Sequence, residues 1–132
     1  RCLGRPYELV GEVVPGTGRG ASLGFPTANL DTGTQMVPGS GVYAAWADLD
    51  GSRFAAAVSI GPGLTFGRTE IVTEAHLLDY HGQLRGRRLR LHLVRRLRPL
   101  EKFEHPSDLI RRIARDVTEV SHLLTEPRRA AP

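Results

Sequence analysis

The chemistry that this sequence could carry is concentrated between residues 16 and 30, in the run G-T-G-R-G-A-S-L-G-F-P-T-A-N-L. Glycine reaches positive φ at low cost and has no Cβ, so a glycine-rich segment can bring backbone N–H groups close to an anionic ligand. The sequence therefore predicts a phosphate-binding loop. A flexible hairpin loop followed by a turn is the alternative. Four glycines fall within nine residues: Gly16, Gly18, Gly20 and Gly24.

Two polar side chains follow this loop. Pro26 fixes its own φ and favours an extended conformation at Phe25. If the extension continues, Thr27 and Asn29 point the same way, because alternate residues of a strand share a face. A hydroxyl and an amide oxygen placed together are plausible ligands for hydrated Mg²⁺ and for phosphate oxygens. The spacing fits neither a Walker loop nor the dinucleotide-binding fingerprint.

A carboxylate in the middle of a predicted strand is the second chemical feature. Alternation over residues 70–80 places Val72, Glu74, His76 and Leu78 on one face. Glutamate has poor strand propensity, and Glu74 could act as a general base towards a substrate hydroxyl, a role worth about 10²–10⁴-fold in rate. The alternative is a solvated glutamate on an open face. His76 alone is more often a packed or surface histidine than a catalyst.

The elements that must position these residues belong to a chain of 132 residues, which makes one domain with a sizeable core. A single cysteine, Cys2, excludes an internal disulfide framework and any multi-cysteine metal site. There is no apolar run of membrane-spanning length and no signal-peptide pattern. We therefore expect a cytoplasmic protein without a membrane partner.

The net charge is +4 and comes almost entirely from arginine. A basic strand can meet polyanions such as nucleic acid or nucleotide phosphates. An exposed strand face is the alternative reading, and the strand lacks the aromatic side chains that would stack on bases. The clustered arginines are Arg85, Arg87, Arg88, Arg90, Arg95, Arg96 and Arg98.

The remaining pattern consists of short strands, tight turns and one terminal helix. Such spacing favours an antiparallel barrel over a parallel sheet. Pro106 and Ser107 begin an amphipathic helix that should lie on the barrel, residues 1–6 resemble the end of a linker, and residues 126–132 should form a disordered tail. The predicted strands span residues 7–14, 41–49, 53–60, 70–80 and 87–97, with turns at Asp50-Gly51 and His81-Gly82.

Several motifs in order resemble the riboflavin kinase family, the flavokinase module found alone or at the C-terminus of bacterial bifunctional FAD synthetases. The resemblance covers roughly residues 4–124, and the kinase-like domain would span residues 7–125. The motifs are L-G-F-P-T-A-N-L at 23–30, P-G-S-G-V-Y-A at 38–44, S-I-G at 59–61, T-F-G at 65–67, E-A-H-L-L-D-Y at 74–80, R-R-L-R-P-L-E-K-F at 95–103, and the helix with Asp116.

The resemblance implies a mainly β fold, a six-stranded antiparallel, Greek-key-like barrel with a C-terminal helix. The implied activity is transfer of the ATP γ-phosphoryl group to the riboflavin 5′-hydroxyl, which gives FMN and requires Mg²⁺. An FMN adenylyltransferase module would be a possible N-terminal partner, and nucleic acid would not be one. The implied site residues are the base Glu74, the metal ligands Thr27 and Asn29, the flavin-binding Arg98, Arg85 and Phe103, and the nucleotide-binding Gly16, Gly18, Arg19, Gly20, Ser22, Gly24, Pro26 and Thr27.

Two segments depart from the usual family sequence. Residues 62–64 read P-G-L where a proline would directly precede T-F-G, and residues 83–86 read Q-L-R-G where family members commonly carry D-L-Y-G. A catalytically weak or inactive module that binds flavin and nucleotide is therefore the alternative function. A nucleic-acid-binding barrel is the third.

Overall fold

A computed structural model describes residues 2–14, 28–33, 38–62, 71–80, 84, 86–100 and 105–130. The chain forms six strands followed by one long helix. Their bounds are β1 (Cys2–Val14), β2 (Ala28–Asp31), β3 (Gly41–Leu49), β4 (Ser52–Pro62), β5 (Ile71–Leu77), β6 (Arg88–Arg98) and α1 (Pro106–Ala130).

The six strands close into a barrel in the order β1-β2-β5-β4-β3-β6, and every neighbouring pair is antiparallel. This confirms the predicted barrel and its terminal helix. Closure leaves no strand of the ring with an unpaired edge. The pairing of β1 with β6 completes the ring, with Leu9 opposite Leu91 at its centre.

The barrel interior is filled by alternate residues of each strand, as a period of two requires. Leu9, Leu91, Val58 and Ile60 are completely buried there. On β5 the buried residues are Thr73, Ala75 and Leu77, whereas Val72, Glu74, His76 and Leu78 are half-buried on the opposite face. The predicted alternation of this strand is thus confirmed.

The hairpin between β3 and β4 turns at the predicted position. Asp50 has φ of 50° and Gly51 has φ of 85°, which is the left-handed pair that a two-residue hairpin of the I′ type requires. Because Gly51 has no Cβ, it adopts this conformation without strain. The tight turn sets a continuous register along the hairpin, from Leu49 opposite Ser52 to Gly41 opposite Ile60.

The strand predicted over residues 70–80 ends at Leu77, and the observed elements differ from the predicted ones at three further places. β1 begins at Cys2, because Cys2 pairs with Arg95 across an irregularity in the ladder, so residues 2–6 are strand rather than linker. β2 has no counterpart in the prediction, since four residues are too few to show a period. The helix continues to Ala130, past the predicted start of the tail at residue 126. Propagating an existing helix costs much less than nucleating one.

The helix α1 lies on the outer face of the barrel. Its Val120 and Leu124 are buried with Ala44 of β3, and Ala55 and Ala57 of β4 pack against the same cluster. These alanines let the helix approach the sheet closely. Within the part of the chain that the structure describes, no helix is both long and apolar enough to cross a membrane.

Candidate active site

Three polar residues from three strands lie side by side at the centre of the candidate site. Asn29 of β2 is directly opposite Glu74 of β5. Ser59 of β4 is directly opposite Glu74 on its other side. Opposed residues on neighbouring antiparallel strands have Cβ atoms about 4.5–5.5 Å apart on one face of the sheet. The register therefore groups an amide, a carboxylate and a hydroxyl, which we call the polar row (Asn29, Glu74 and Ser59).

The polar row faces outwards from the barrel. Ala28, Ala75 and Val58, the neighbours of its members along the chain, are buried in the interior. Alternation then directs Asn29, Glu74 and Ser59 to the outer face, where each is half-buried. Their functional groups are thus accessible to a ligand that approaches the wall of the barrel.

Apolar groups flank Ser59 of the polar row on both sides along β4. On one side, a Cβ added to Gly61 would collide with the Cδ1 atom of Leu100. Leu100 therefore lies directly over Gly61, next to Ser59 on the same face. On the other side, Ala57 packs in the cluster that contains Val120 and Leu124 of α1. Ser59 thus lies between Leu100 on one side and the helix-covered cluster on the other.

Arg98, a predicted flavin ligand, makes a buried ion pair with the helix. Its Nε donates to Asp116 Oδ1 at 3.0 Å and its Nη2 donates to Asp116 Oδ2 at 2.7 Å. The two side chains are 10% and 6% exposed, and Nη1 donates to the Pro99 carbonyl at 3.0 Å. The bidentate geometry fixes the orientation of α1 relative to the end of β6. Whether Arg98 also binds flavin stays a prediction.

Arg98 belongs to the same level of the barrel as the polar row. Val42 of β3 is paired with Ser59 on one side and with Arg98 on the other. The polar row and the Arg98–Asp116 pair are therefore two strands apart around the wall. The structure thus brings Glu74, Asn29 and Arg98 to one region of the barrel wall, and their roles stay predictions.

The other predicted site residues lie outside the described residues, and their roles stay predictions. They are Gly16, Gly18, Arg19, Gly20, Ser22, Gly24, Pro26, Thr27, Arg85 and Phe103.

The arginine cluster is partly neutralised by carboxylates, which within the described residues pair with Arg87, Arg90 and Arg98 but not with the exposed Arg88, Arg95 and Arg96. Arg87 pairs with Asp50, and Arg90 pairs with Glu8 at 2.9 Å. Because these guanidinium groups already have acidic partners, they do not form a row of free cations for a nucleic-acid backbone. This pairing favours the exposed-strand reading of the basic cluster.

A second charged group surrounds Asp48 on β3. Arg53 donates to both its carboxylate oxygens, at 2.8 and 3.1 Å, and lies over the ring of Trp46 at 5.9 Å. These hydrogen bonds from Arg53 lower the pKa of Asp48 to about 2, against the partial burial that raises it. His92 contributes a smaller lowering through its Nε2, 2.9 Å from Oδ2.

The donor set of the polar row suits Mg²⁺. Carboxylate and amide oxygens are the ligands that this hard cation prefers, and it keeps several waters and substrate phosphates in its shell. Over the described ranges there is no group of three or more His, Cys, Asp or Glu residues placed to hold a metal.

Sequence reasoning missed two residues of this region. Ser59 became relevant only through its register with Glu74, and no local pattern in the sequence indicates that register. Asp116 was noted only within the helix. Its partner Arg98 is remote along the chain, so no local signal indicated that this carboxylate is buried.

The fold and the polar row define a small antiparallel barrel protein with an oxygen-rich site on its outer wall. The chain matches the family model described as Flavokinase, riboflavin kinase, over residues 3–124. It therefore belongs to the riboflavin kinase family.

Curated relatives carry a second activity in their names. The chain is 38% identical over 104 residues to a bifunctional riboflavin kinase/FMN adenylyltransferase of Pseudomonas fluorescens, which covers 78% of this chain and 33% of the relative. It is 34% identical over 121 residues to the protein of the same name from Bacillus subtilis, and this match covers 89% of this chain and 38% of the relative. The chain thus spans little more than a third of these relatives' length.

Solved structures share the fold. A riboflavin kinase from Trypanosoma brucei superimposes with a TM-score of 0.70 at 23% identity, over 97% of this chain and 84% of that chain. A Streptococcus pneumoniae protein described as a macrolide-efflux protein superimposes with a TM-score of 0.78 at 28% identity, over 86% of this chain and 38% of that chain.

Proposed function

We propose that this chain is a riboflavin kinase module that transfers the γ-phosphoryl group of ATP to the 5′-hydroxyl of riboflavin, giving FMN and ADP. The observation that carries the proposal is the direct pairing of Asn29 with Glu74. It puts the candidate metal ligand and the candidate base next to each other on one accessible face. Membership of the riboflavin kinase family supplies the substrates.

Glu74 is the proposed general base. As the 5′-oxygen forms its bond to the γ-phosphorus, the bond from that phosphorus to the β,γ-bridging oxygen breaks and ADP leaves. The hydroxyl proton passes to the Glu74 carboxylate. Phosphoryl transfer depends on alignment and charge neutralisation more than on covalent chemistry. Leu100 and α1, which bound the polar row, would restrict the approach of water.

Asn29, together with Thr27, would hold Mg²⁺ against the nucleotide phosphates. The bound ion would neutralise charge that develops on those phosphates. Asn29 contributes a neutral oxygen, so it does not compete with Glu74 for a proton.

The relatives support a wider proposal about the whole protein. They are bifunctional riboflavin kinase/FMN adenylyltransferases of which the matching region is a minor part. We propose that this module works in the cytoplasm beside an FMN adenylyltransferase module.

Incubation with riboflavin, ATP and Mg²⁺, followed by chromatography for FMN, tests the activity. Glu74→Gln preserves shape but removes basicity, so kcat should fall by roughly 10²-fold or more while affinities for riboflavin and MgADP change little. Glu12→Gln is the matched control, since Glu12 is an exposed glutamate on β1.

An equal kcat in Glu74→Gln and the parent chain would show that Glu74 is not the base. If the parent chain binds flavin and nucleotide but makes no FMN, the kinase proposal fails and the binding-module function replaces it. The departures at residues 62–64 and 83–86 are the features of this chain that such an outcome would implicate.

A further inference from the structure

The buried pair Arg98–Asp116 is connected to the outer wall of the barrel by the two residues that follow Arg98. Arg98 Nε and Nη2 donate to the two Asp116 carboxylate oxygens at 3.0 and 2.7 Å, and its Nη1 donates to the Pro99 carbonyl at 3.0 Å. The Asp116 carboxylate therefore fixes a guanidinium that in turn fixes the peptide leading into Leu100. Because the Asp116 side chain is only 6% exposed, solvent screens the pair weakly.

Leu100 lies at the place on β4 where a side chain is missing. A Cβ added to Gly61 would collide with the Leu100 Cδ1 atom, so the leucine fills the outer face of the wall beside Ser59. Val72 of β5 is paired with Gly61 across the sheet, and both Val72 and Leu100 are half-buried. Apolar surface thus lies next to Ser59 on β4 and next to Glu74 on β5.

The opposite side of the polar row is covered by the helix. There Ala57 and Leu78 pack against the apolar cluster that contains Val120 and Leu124 of α1. Riboflavin consists of a polar chain, which ends in the reacting 5′-hydroxyl, and a flat, largely apolar ring system. Ligand pockets are lined mainly by apolar side chains, with a few polar groups that fix orientation. With the hydroxyl at the polar row, the apolar surface that the described residues leave accessible to the ring is on the side of Leu100.

We propose that Asp116 is a positioning residue for the acceptor. Through Arg98 it holds Leu100 over Gly61, where the leucine packs against the ring of riboflavin. This inference rests on the proposed kinase function, which supplies the acceptor. Asp116 touches neither substrate, so its effect reaches the acceptor only through the segment that carries Leu100. Small displacements at such a contact cost as much as about 10²-fold in rate.

The test measures riboflavin affinity by fluorescence quenching and MgADP affinity by isothermal titration. Asp116→Asn keeps the size of the side chain but replaces one acceptor oxygen by a donor group that faces the Arg98 guanidinium. It should weaken riboflavin binding about tenfold, and change the MgADP affinity and the kcat at saturating riboflavin little. Asp108→Asn is the matched control, since Asp108 pairs with the exposed Arg111 on the same helix, and it should match the parent.

Leu100 supplies a second test that leaves the ion pair intact. Leu100→Ala should weaken riboflavin binding about tenfold, whereas Leu100→Met keeps the apolar volume and should bind like the parent. Because Asp116 acts through Leu100, adding Asp116→Asn to Leu100→Ala should cause little further loss. Parent-like riboflavin affinity in Leu100→Ala, or fully additive losses in the double variant, would overturn the proposal. Equal losses of riboflavin and MgADP affinity in Asp116→Asn would overturn it as well, since they indicate a general structural role.

The same measurements separate this inference from the kinase proposal. A parent chain that binds riboflavin but makes no FMN would overturn the kinase proposal alone, because the riboflavin affinities of the variants still decide the role of Asp116. A parent chain that binds no riboflavin would overturn both.

Discussion

Asn29 and Glu74 are opposed on neighbouring strands, yet their chemistry suits them to the different roles that we propose. The amide of Asn29 cannot take up a proton at neutral pH, and its oxygen is suited to a cation. The carboxylate of Glu74 can both take up a proton and bind a cation, and we propose it as the base. Substitutions at the two positions should therefore affect different measurements.

Asn29→Ala should weaken the binding of MgADP far more than the binding of riboflavin, because it removes a ligand for the nucleotide-bound cation. Isothermal titration of MgADP, of ADP in the presence of a chelator, and of riboflavin measures the three affinities. The chelator arm is the control, since the variant should match the parent there. Equal MgADP affinity in both chains would rule out Asn29 as a metal ligand.

Asp48 gives a residue-scale prediction about pH. Arg53 holds the pKa of Asp48 at about 2 in the folded chain, below the ordinary value of 3.8. The stabilisation that the ionised Asp48 carboxylate gives the folded chain is thus fully present above pH 4 and is lost as the pH falls through 2. Asp48 is 30% exposed and Arg53 53%, so with solvent screening Asp48→Asn should cost about 1 kcal/mol at pH 7.

Urea unfolding of the parent chain and of Asp48→Asn, at pH 7 and at pH 3, measures the difference between their free energies of unfolding. This difference should be smaller at pH 3. Asp79→Asn is the control, because Asp79 is exposed with φ of 59°, a conformation that asparagine accepts. A difference for Asp48→Asn that stays constant between the two pH values would contradict the assignment.

At the scale of elements, the buried pair Arg98–Asp116 joins the only described helix to the end of β6. Pro99 and Leu100 follow Arg98 directly, and Leu100 covers Gly61 beside the polar row. The ion pair therefore holds two parts of the site's surroundings at once: the helix and the segment that carries Leu100. Its loss should loosen both.

Asp116→Ala should destabilise the chain by about 3–5 kcal/mol, because it leaves the buried guanidinium of Arg98 without its carboxylate. Arg111→Ala is the control on the same helix. It breaks the pair with Asp108, in which Arg111 is 74% exposed, and should cost less than about 1 kcal/mol. Thermal or urea unfolding compares them, and a similar small loss in both would show that Arg98–Asp116 contributes no more than a surface pair.

At the scale of the whole molecule, local patterns predicted most elements but not how they meet. Alternation identified β3 and the faces of β5, and Asp50-Gly51 identified the hairpin, because each signal lies within a few residues. β2 was too short to show a period. The buried place of Asp116 depends on Arg98, which a helical pattern cannot include.

The candidate site was predictable to the same extent. Glu74 and Asn29 could be named from residue type and from family resemblance, since a carboxylate in mid-strand and an amide after a glycine-rich loop are local features. Their pairing, and the place of Ser59 beside them, depend on the registers of β2 and β4 against β5. Those registers are set when the barrel closes, so no local sequence feature indicates them.

The pairing of β1 with β6 also constrains how the protein is made. Leu9 of β1 emerges from the ribosome before any of the strands β2 to β5, whereas its partner Leu91 of β6 emerges only after all of them. Such distant pairing makes folding slow, and until β6 is available the nascent β1 carries an unpaired edge open to proteases and to other chains. Translation that stops before residue 88 therefore cannot yield a closed barrel, even if the hairpins have formed.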